Sequence, residues 1–462
     1  MSTHRSPLFR KAQHIHLVGI GGSGMSGIAE VLVNLSFTVS GSDLSRSPVT
    51  DRLESLGARV FYGHAPGQVA GADVVVISSA VSPDNPEVAE AKVKQVPVIP
   101  RAEMLAELMR MKYGVAIAGS HGKTSATAMV AQVLSAAGLD PTIVIGGRLN
   151  ILGSGAKLGK GDLMVAEADE SDGSFLRLAP TIAVVTNIDD EHLNHYGTMG
   201  ALVEAFTGFL NKVPFYGLGI VCLDDPQIQG IMPKLTRKHM TYGLASQADL
   251  VGTNLELKEF TSRFEVTFRG RWLGDVRLKV PGRHSIYNAL AAIGVSLEFD
   301  LKFGDVAAHL ADFSGADRRF QHKGTVNDIM VIDDYGHHPT EIRATLAAAR
   351  DGWKRRTVVV FQPHRYTRVQ ALMEEFARSF YQADILIVTE IYRAGETEIP
   401  GVTGDALATA IKDHGHKDTT YARDLDEAGA LLLKRARPGD MLITLGAGDV
   451  WKVGERFLKE AA

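Results

Sequence analysis

One cysteine, Cys222, stands in a chain of 462 residues, which excludes an internal disulfide framework. No apolar run is long enough to cross a bilayer, and Met1–Gln13 carries charges where a signal peptide needs an apolar core. No membrane insertion is therefore expected, and the cytoplasm is the expected compartment. Neither sign of charge dominates: 49 Lys and Arg face 53 Asp and Glu, and a net charge of -4 gives no footing for nucleic acid or anionic membranes. Any anion site must be local. Tandem repeats and low-complexity tracts are absent too. What is present is a hydrophobic fraction of 45%, a charged fraction of 22% and 47 glycines, the composition of a soluble globular protein rich in tight turns. The length exceeds one ordinary hydrophobic core, so three domains are expected.

Short β-branched runs alternate with helical stretches, the pattern of parallel sheets built from βαβ units. Strands are expected at 14–18, 37–40 and 73–78, then at 113–118, 163–166, 181–188 and 219–223, and finally at 329–333, 357–362, 385–390 and 441–445. Residues 249–280 alternate without a helical period and read as a small antiparallel insert before a helix starting near Ser285. The fold class is thus α/β in three domains: 1–112 Rossmann-like, 113–315 a central P-loop domain carrying the insert, and 316–462 again Rossmann-like.

The run Val115-Ala116-Ile117-Ala118-Gly119-Ser120-His121-Gly122-Lys123-Thr124-Ser125 passes from a strand through a glycine loop into a helix. That is the context of a phosphate loop, in which backbone N–H groups cradle phosphates, Lys123 neutralises them and the Thr124 hydroxyl reaches Mg²⁺. Ile117 stands where the standard motif has its first glycine, so the form here is the shorter Gly-x-x-Gly-Lys-Thr. Two acidic strand ends follow, Glu167-Ala168-Asp169-Glu170-Ser171-Asp172 and Asn187-Ile188-Asp189-Asp190-Glu191-His192. Carboxylates beside a polyphosphate repel it unless a divalent cation lies between, so the combination predicts a metal, Mg²⁺ or Mn²⁺.

Gly19-Ile20-Gly21-Gly22-Ser23-Gly24 satisfies G-x-G-x-x-G after a strand, and Asp43 follows the second strand near the place of a ribose-binding acid. Two ligands fit this loop, a nicotinamide dinucleotide and a UDP-sugar, because a glycine turn at a helix N-terminus binds a pyrophosphate whatever its other half. Ser78 and Ser79, at the end of a later strand, line the same crevice.

Taken in order, these motifs resemble the Mur ligase family over essentially the whole chain, and its alanine-adding branch in particular. The match extends to Met25-Ser26-Gly27, Arg318-Arg319-Phe320, Asp333-Asp334-Tyr335-Gly336-His337-His338-Pro339-Thr340-Glu341 and Phe361-Gln362-Pro363-His364-Arg365-Tyr366-Thr367-Arg368. The resemblance implies ligation of L-alanine to the lactyl carboxylate of UDP-N-acetylmuramate through an acyl phosphate, at the cost of ATP. It implies that Gly21, Gly22, Ser23, Gly24, Met25, Ser26, Asp43, Ser78 and Ser79 hold the UDP-sugar. ATP would be held by the loop Gly119–Ser125 with His284, Asn288, Arg319 and Asp334, and the metal by Thr124, Glu167 and His192. Tyr335, His337, Arg365 and Arg368 would take the amino acid, with His337 as general base and Lys123, Glu167, His192 and both arginines as the remaining catalytic groups. A monomer or weak homodimer is expected. Ser285 replaces an asparagine usual in the family and is expected to cap its helix, and the stretch 197–209 has no lysine for the carbamylated side chain of several sister ligases. The rivals are a ligase that reattaches recovered tripeptide to the same sugar and, more remotely, an NAD(P)-dependent oxidoreductase.

Overall fold

The computed structural model describes residues 12–78, 80–145 and 156–461, with only the backbone of Ser23, Leu193 and Asn194. Its strands fall into three sheets. The first contains β1 (His14–Val18), β2 (Thr38–Asp43), β3 (Arg59–Tyr62), β4 (Val74–Ile77) and β5 (Val98–Pro100) in the order β3-β2-β1-β4-β5. All its pairs are parallel. The winding reverses between β1 and β4, which opens a crevice at their carboxyl ends.

The second sheet contains β6 (Tyr113–Ala118), β7 (Thr142–Val144), β8 (Ala156–Lys157), β9 (Leu163–Glu167), β10 (Ile182–Val185), β11 (Leu218–Cys222) and β12 (His239–Gly243). It continues into the insert, β13 (Leu250–Lys258), β14 (Thr261–Phe268) and β15 (Arg271–Leu278), successive neighbours joined by two-residue turns. The order is β15-β14-β13-β12-β11-β10-β6-β9-β7-β8, so β6 sits at a second reversal, between β10 and β9. Both neighbours of β6 run parallel to it, and the loops after β6, β9 and β10 leave the sheet at one end.

The third sheet contains β16 (Gln321–Val326), β17 (Ile329–Asp334), β18 (Arg356–Phe361), β19 (Ile385–Thr389), β20 (Thr419–Ala422) and β21 (Asp440–Leu445), ordered β16-β17-β21-β18-β19-β20. Only β16 is antiparallel to its neighbour. Strand residues alternate between two buried clusters: Ile332, Val359, Phe361, Leu386 and Ile443 pack on one face, and Val331, Val358, Val360, Ile387 and Leu442 on the other. A sheet covered on both faces explains why its strands read as unbroken apolar runs.

By compactness the chain divides into two units, Met1–Thr253 with Glu265–Val276 and Tyr287–Asp312, and Asn254–Phe264 with Arg277–Ile286 and Phe313–Ala462. The first two sheets thus belong to one unit, and parts of the insert group with the third sheet, whereas the sequence boundaries near 112 and 315 keep the insert whole. Among the described residues no helix is long and apolar enough to cross a membrane.

Candidate active site

The glycine turn after β1 is held from β2. Gly19 N and Ile20 N donate to Ser42 O at 2.8 and 2.9 Å, and Gly21 N donates to Asp43 Oδ2 at 2.8 Å. Asp43 therefore braces the loop at the position where the sequence expected a ribose ligand. Gly22 caps the helix Ser23–Asn34 and Met25 is buried in its first turn. A Cβ on Gly24 would lie 1.9 Å from Arg101 Nη1, and Arg101 reaches Asp169 at 3.2 Å. Ser78 lies at the end of β4, 4.0 Å from where a Gly19 Cβ would be, and Ser26 lies one turn into the helix. The side chain of Ser23, and Ser79 altogether, lie outside the described residues. The same sheet carries a hydrogen-bonded chain unmarked in the sequence, buried at His16, Ser40 and Glu87: His16 and His64 flank Glu87 at 2.5 and 2.6 Å, and His14 and His16 share the Ser40 hydroxyl at 2.7 Å each.

The phosphate loop after β6 has Gly119 at φ +131 and Gly122 at φ +81, conformations that favour glycine. The peptide N–H groups of Gly122, Lys123, Thr124 and Ser125 have no acceptor among the described residues, and they open the helix Lys123–Ala136. Four such donors at the positive end of a helix are an anion cradle. Lys123 Nζ folds back onto its own loop, donating to Gly119 O at 2.6 Å, Ser120 O at 3.1 Å and Glu170 Oε1 at 2.8 Å. Burial opposes its charge, but Glu170, Glu191 and Asp169 outweigh that and hold the ammonium above its ordinary range. Asn288 packs against the loop, its Oδ1 2.6 Å from where a Gly122 Cβ would be.

The acids separate into two groups. Glu167, at the end of β9, accepts from the Thr124 hydroxyl at 3.1 Å on each oxygen. Glu170 is buried, 1% exposed, and its Oε2 has no hydrogen-bond partner among the described residues. Burial pushes this carboxyl up, against the pull of Lys123. One ligand atom each from Glu170, Glu191 and His192 lies within 4.8 Å of the others, and His192 is held at φ +60, uncommon for a non-glycine residue. Two carboxylates and an imidazole, one oxygen of them unpartnered in a buried pocket, fit a hard divalent cation such as Mg²⁺. The resemblance in sequence points to Glu167 and His192 and not to Glu170 and Glu191; burial separates these last two acids from Glu167. His121 Nε2 lies 2.9 Å from Asp189 Oδ2.

In the other unit, Asp334 at the end of β17 accepts from Phe320 N at 2.8 Å and Gly336 N at 2.7 Å, and burial pushes its carboxyl up to about 6. Arg319 lies over the Tyr335 ring at 5.2 Å and 3.4 Å from Glu341. His337 Nδ1 sits 3.1 Å from Tyr335 O, and the His337 ring meets that of His364 edge-on at 5.6 Å. His364 stacks on Tyr392 and its Nδ1 lies 3.3 Å from Arg368 Nη1. Burial, then His337, Arg368 and Arg365, push His364 down to about 3, so it is a neutral acceptor for that guanidinium. Arg365 holds φ +69 and ψ 130, and its exposed guanidinium has no partner among the described residues. A strained backbone presenting an unpaired cation fits a recognition site for an anion. His364 and Tyr392 were missed because stacking is invisible to spacing.

His284, in the first turn of the helix Arg283–Glu298, is pushed down to about 4 by burial and by Arg319. Ser285 does not cap that helix as expected. It lies inside the first turn, and its hydroxyl donates back to Pro281 O at 2.7 Å instead of accepting a free N–H.

Comparison with known proteins gives the family. Residues 14–113 match the profile described as Mur ligase family, catalytic domain, residues 117–296 the Mur ligase middle domain, and residues 318–448 the Mur ligase, glutamate ligase domain. A UDP-N-acetylmuramate–L-alanine ligase of Geotalea uraniireducens is 57% identical over 98% of this chain and 99% of its own length. That of Myxococcus xanthus is 54% identical over 99% and 98%. Among solved structures, the UDP-N-acetylmuramate-alanine ligase of Thermotoga maritima superposes with a TM-score of 0.82 at 29% identity, covering 97% of this chain and 98% of that one. A murein peptide ligase from Psychrobacter arcticus shares the fold, with a TM-score of 0.70 at 23% identity over 97% and 98%. The chain belongs to the Mur ligase family.

Proposed function

We propose that the chain joins L-alanine to the lactyl carboxylate of UDP-N-acetylmuramate, consuming ATP with Mg²⁺ (or Mn²⁺) and making a peptidoglycan precursor. The observation that carries the chemistry is the buried, half-satisfied carboxylate of Glu170 against Lys123 at the mouth of the phosphate loop. The choice of alanine is supported by relatives at 54–57% identity across nearly the full length.

A carboxylate does not react with an amine because its leaving group would be oxide. The lactyl oxygen attacks the γ-phosphorus of ATP, the bond to the bridging oxygen breaks, and ADP leaves behind an acyl phosphate. The uncharged amine of alanine then adds to the acyl carbon, inorganic phosphate departs, and the nitrogen loses its proton. We assign that proton to His337. Lys123 and the N–H groups of Gly122–Ser125 hold the phosphates in line. Glu170, Glu191 and His192, and Thr124 with Glu167, would hold Mg²⁺, which would offset the charge shared by the phosphoryl group and its carboxylate attacker. Asn288, His284, Arg319 and Asp334 complete the ATP site, while Arg365 and Arg368 take the carboxylate of alanine beside Tyr335. The glycine loop Gly21–Ser26, Asp43, Ser78 and Ser79 hold the UDP-sugar.

This assignment keeps three functional domains, 1–112, 113–315 and 316–462, for sugar, ATP and amino acid, in a cytoplasmic monomer or weak homodimer. Purified protein given UDP-N-acetylmuramate, ATP and Mg²⁺ should release ADP and phosphate in proportion to added L-alanine. Release that ignores alanine, or NADH binding in place of the UDP-sugar, would overturn the proposal.

A further inference from the structure

The phosphate loop lacks the first glycine of the standard motif, with Ile117 buried in β6 at that position. Something else must fix the turn between β6 and the helix Lys123–Ala136. The neighbouring strand β10 is followed directly by Thr186 and Asn187, and both side chains converge on one peptide group of the loop. The His121 carbonyl accepts from Thr186 Oγ1 at 2.6 Å and from Asn187 Nδ2 at 3.0 Å. On its other side His121 N donates to Asn187 Oδ1 at 2.8 Å, and Ser120 N donates to Asn187 O at 3.1 Å. Thr186 is buried and stands so close that a Cβ on Gly119 would lie 2.0 Å from its hydroxyl.

These bonds sort the loop's donors. The N–H groups of Ser120 and His121 are taken by Asn187, so they are withdrawn from any anion. Those of Gly122 to Ser125 are left for the phosphates. An Asn side chain offers one acceptor and two donors in a fixed plane, which lets a single residue grip both faces of the same backbone segment. We propose that Thr186 and Asn187 are positioning residues for ATP: they set the His121 peptide so that the phosphate cradle begins at Gly122, doing from β10 what the missing glycine does within the standard loop. This rests on the reading of Gly119–Ser125 as the ATP loop.

The test measures binding of an imido-bridged ATP analogue with Mg²⁺, and separately of UDP-N-acetylmuramate, by calorimetry. The variants are Thr186→Val, Thr186→Ser, Asn187→Ala and Lys123→Ala, each checked for a native-like melting transition. Thr186→Val and Asn187→Ala should each raise the Kd for the analogue by about tenfold, one or two net hydrogen bonds' worth, and leave the sugar's Kd within about twofold. Thr186→Ser, which restores the hydroxyl, should return to within about threefold of the parent. If Lys123→Ala loses the analogue while Thr186→Val and Asn187→Ala keep it, or if Thr186→Ser fails to rescue, the positioning role is wrong. If Lys123→Ala itself keeps full affinity, the reading of the loop on which this rests is wrong.

Discussion

Lys123 Nζ lies 2.8 Å from Glu170 Oε1, and the second oxygen of that carboxylate is buried without a hydrogen-bond partner among the described residues. The lysine thus contacts both its own loop and this acid. A γ-phosphoryl group and a cation would take over both halves of the contact. Lys123→Ala, Glu167→Ala and Glu170→Gln should each lower kcat for ligation by about 10²-fold or more, with UDP-sugar affinity near normal. Equal loss of sugar affinity in all three would contradict the division of labour between the first two sheets.

The glycine turn of the first sheet makes a second prediction. A Cβ on Gly21 would sit 2.9 Å from Asp43 Oδ2 and 3.0 Å from Thr50 Cγ2. Gly21→Val should therefore push Asp43 off the loop as well as crowd the pyrophosphate, weakening UDP-sugar binding by about tenfold or more. Asp43→Ala should weaken it as well, by releasing Gly21 N. Titration of the folded variants decides, and an unchanged Kd for both would move the sugar site elsewhere.

How far all this could be read in advance differs from place to place. Buried parallel strands such as 113–118 and 441–445 were plain because apolar runs bounded by glycine have few other uses. Short strands such as β3, β5, β7 and β20, at three or four residues each, leave too little pattern to register. The phosphate loop was legible because its chemistry lies in contiguous residues. Glu170, Glu191, His364, Thr186 and Asn187 were not, since their importance comes from burial, stacking and strand-to-strand contact. Glu167 and Glu170 show the limit well: three residues apart in one acidic run, Glu167 accepts from Thr124 on both oxygens, whereas Glu170 is buried against Lys123.

His364 gives a prediction in pH. Held down to about 3, it stays neutral throughout the working range, so it cannot be the group whose protonation shuts the enzyme off in mild acid. His364→Gln should raise the KM for alanine about tenfold by removing the imidazole that Arg368 contacts, while the acid limb of the kcat/KM profile stays where it is. The sign for stability follows from the same depression. Unfolded chain takes up the proton near 6.5 and folded chain refuses it until about 3, so wild type loses stability as pH falls through that window. Between pH 7 and 4.5 the variant should lose about 2 kcal/mol less than wild type in urea titrations, allowing for the partial exposure of the ring. A parallel decline of both proteins, or a displaced acid limb, would show that His364 titrates normally.

Arg365 and Arg368 separate the two half-reactions. Neutralising either should raise the KM for alanine far more than that for ATP, by about tenfold or more against less than about threefold. Acyl-phosphate formation precedes the use of alanine, so hydroxylamine should still trap an activated sugar in these variants. Loss of the trapped hydroxamate along with ligation would place the arginines on the phosphoryl group instead.

The most direct test compares acceptors. With UDP-N-acetylmuramate, ATP and Mg²⁺ held saturating, L-alanine should be consumed with stoichiometric ADP release, and serine and glycine should be poor but detectable, since one methyl group discriminates by only about 1–3 kcal/mol. Glutamate and free tripeptide should give no product. If tripeptide were consumed faster than alanine, the protein would be a recycling ligase and the account given for its amino-acid site would be wrong.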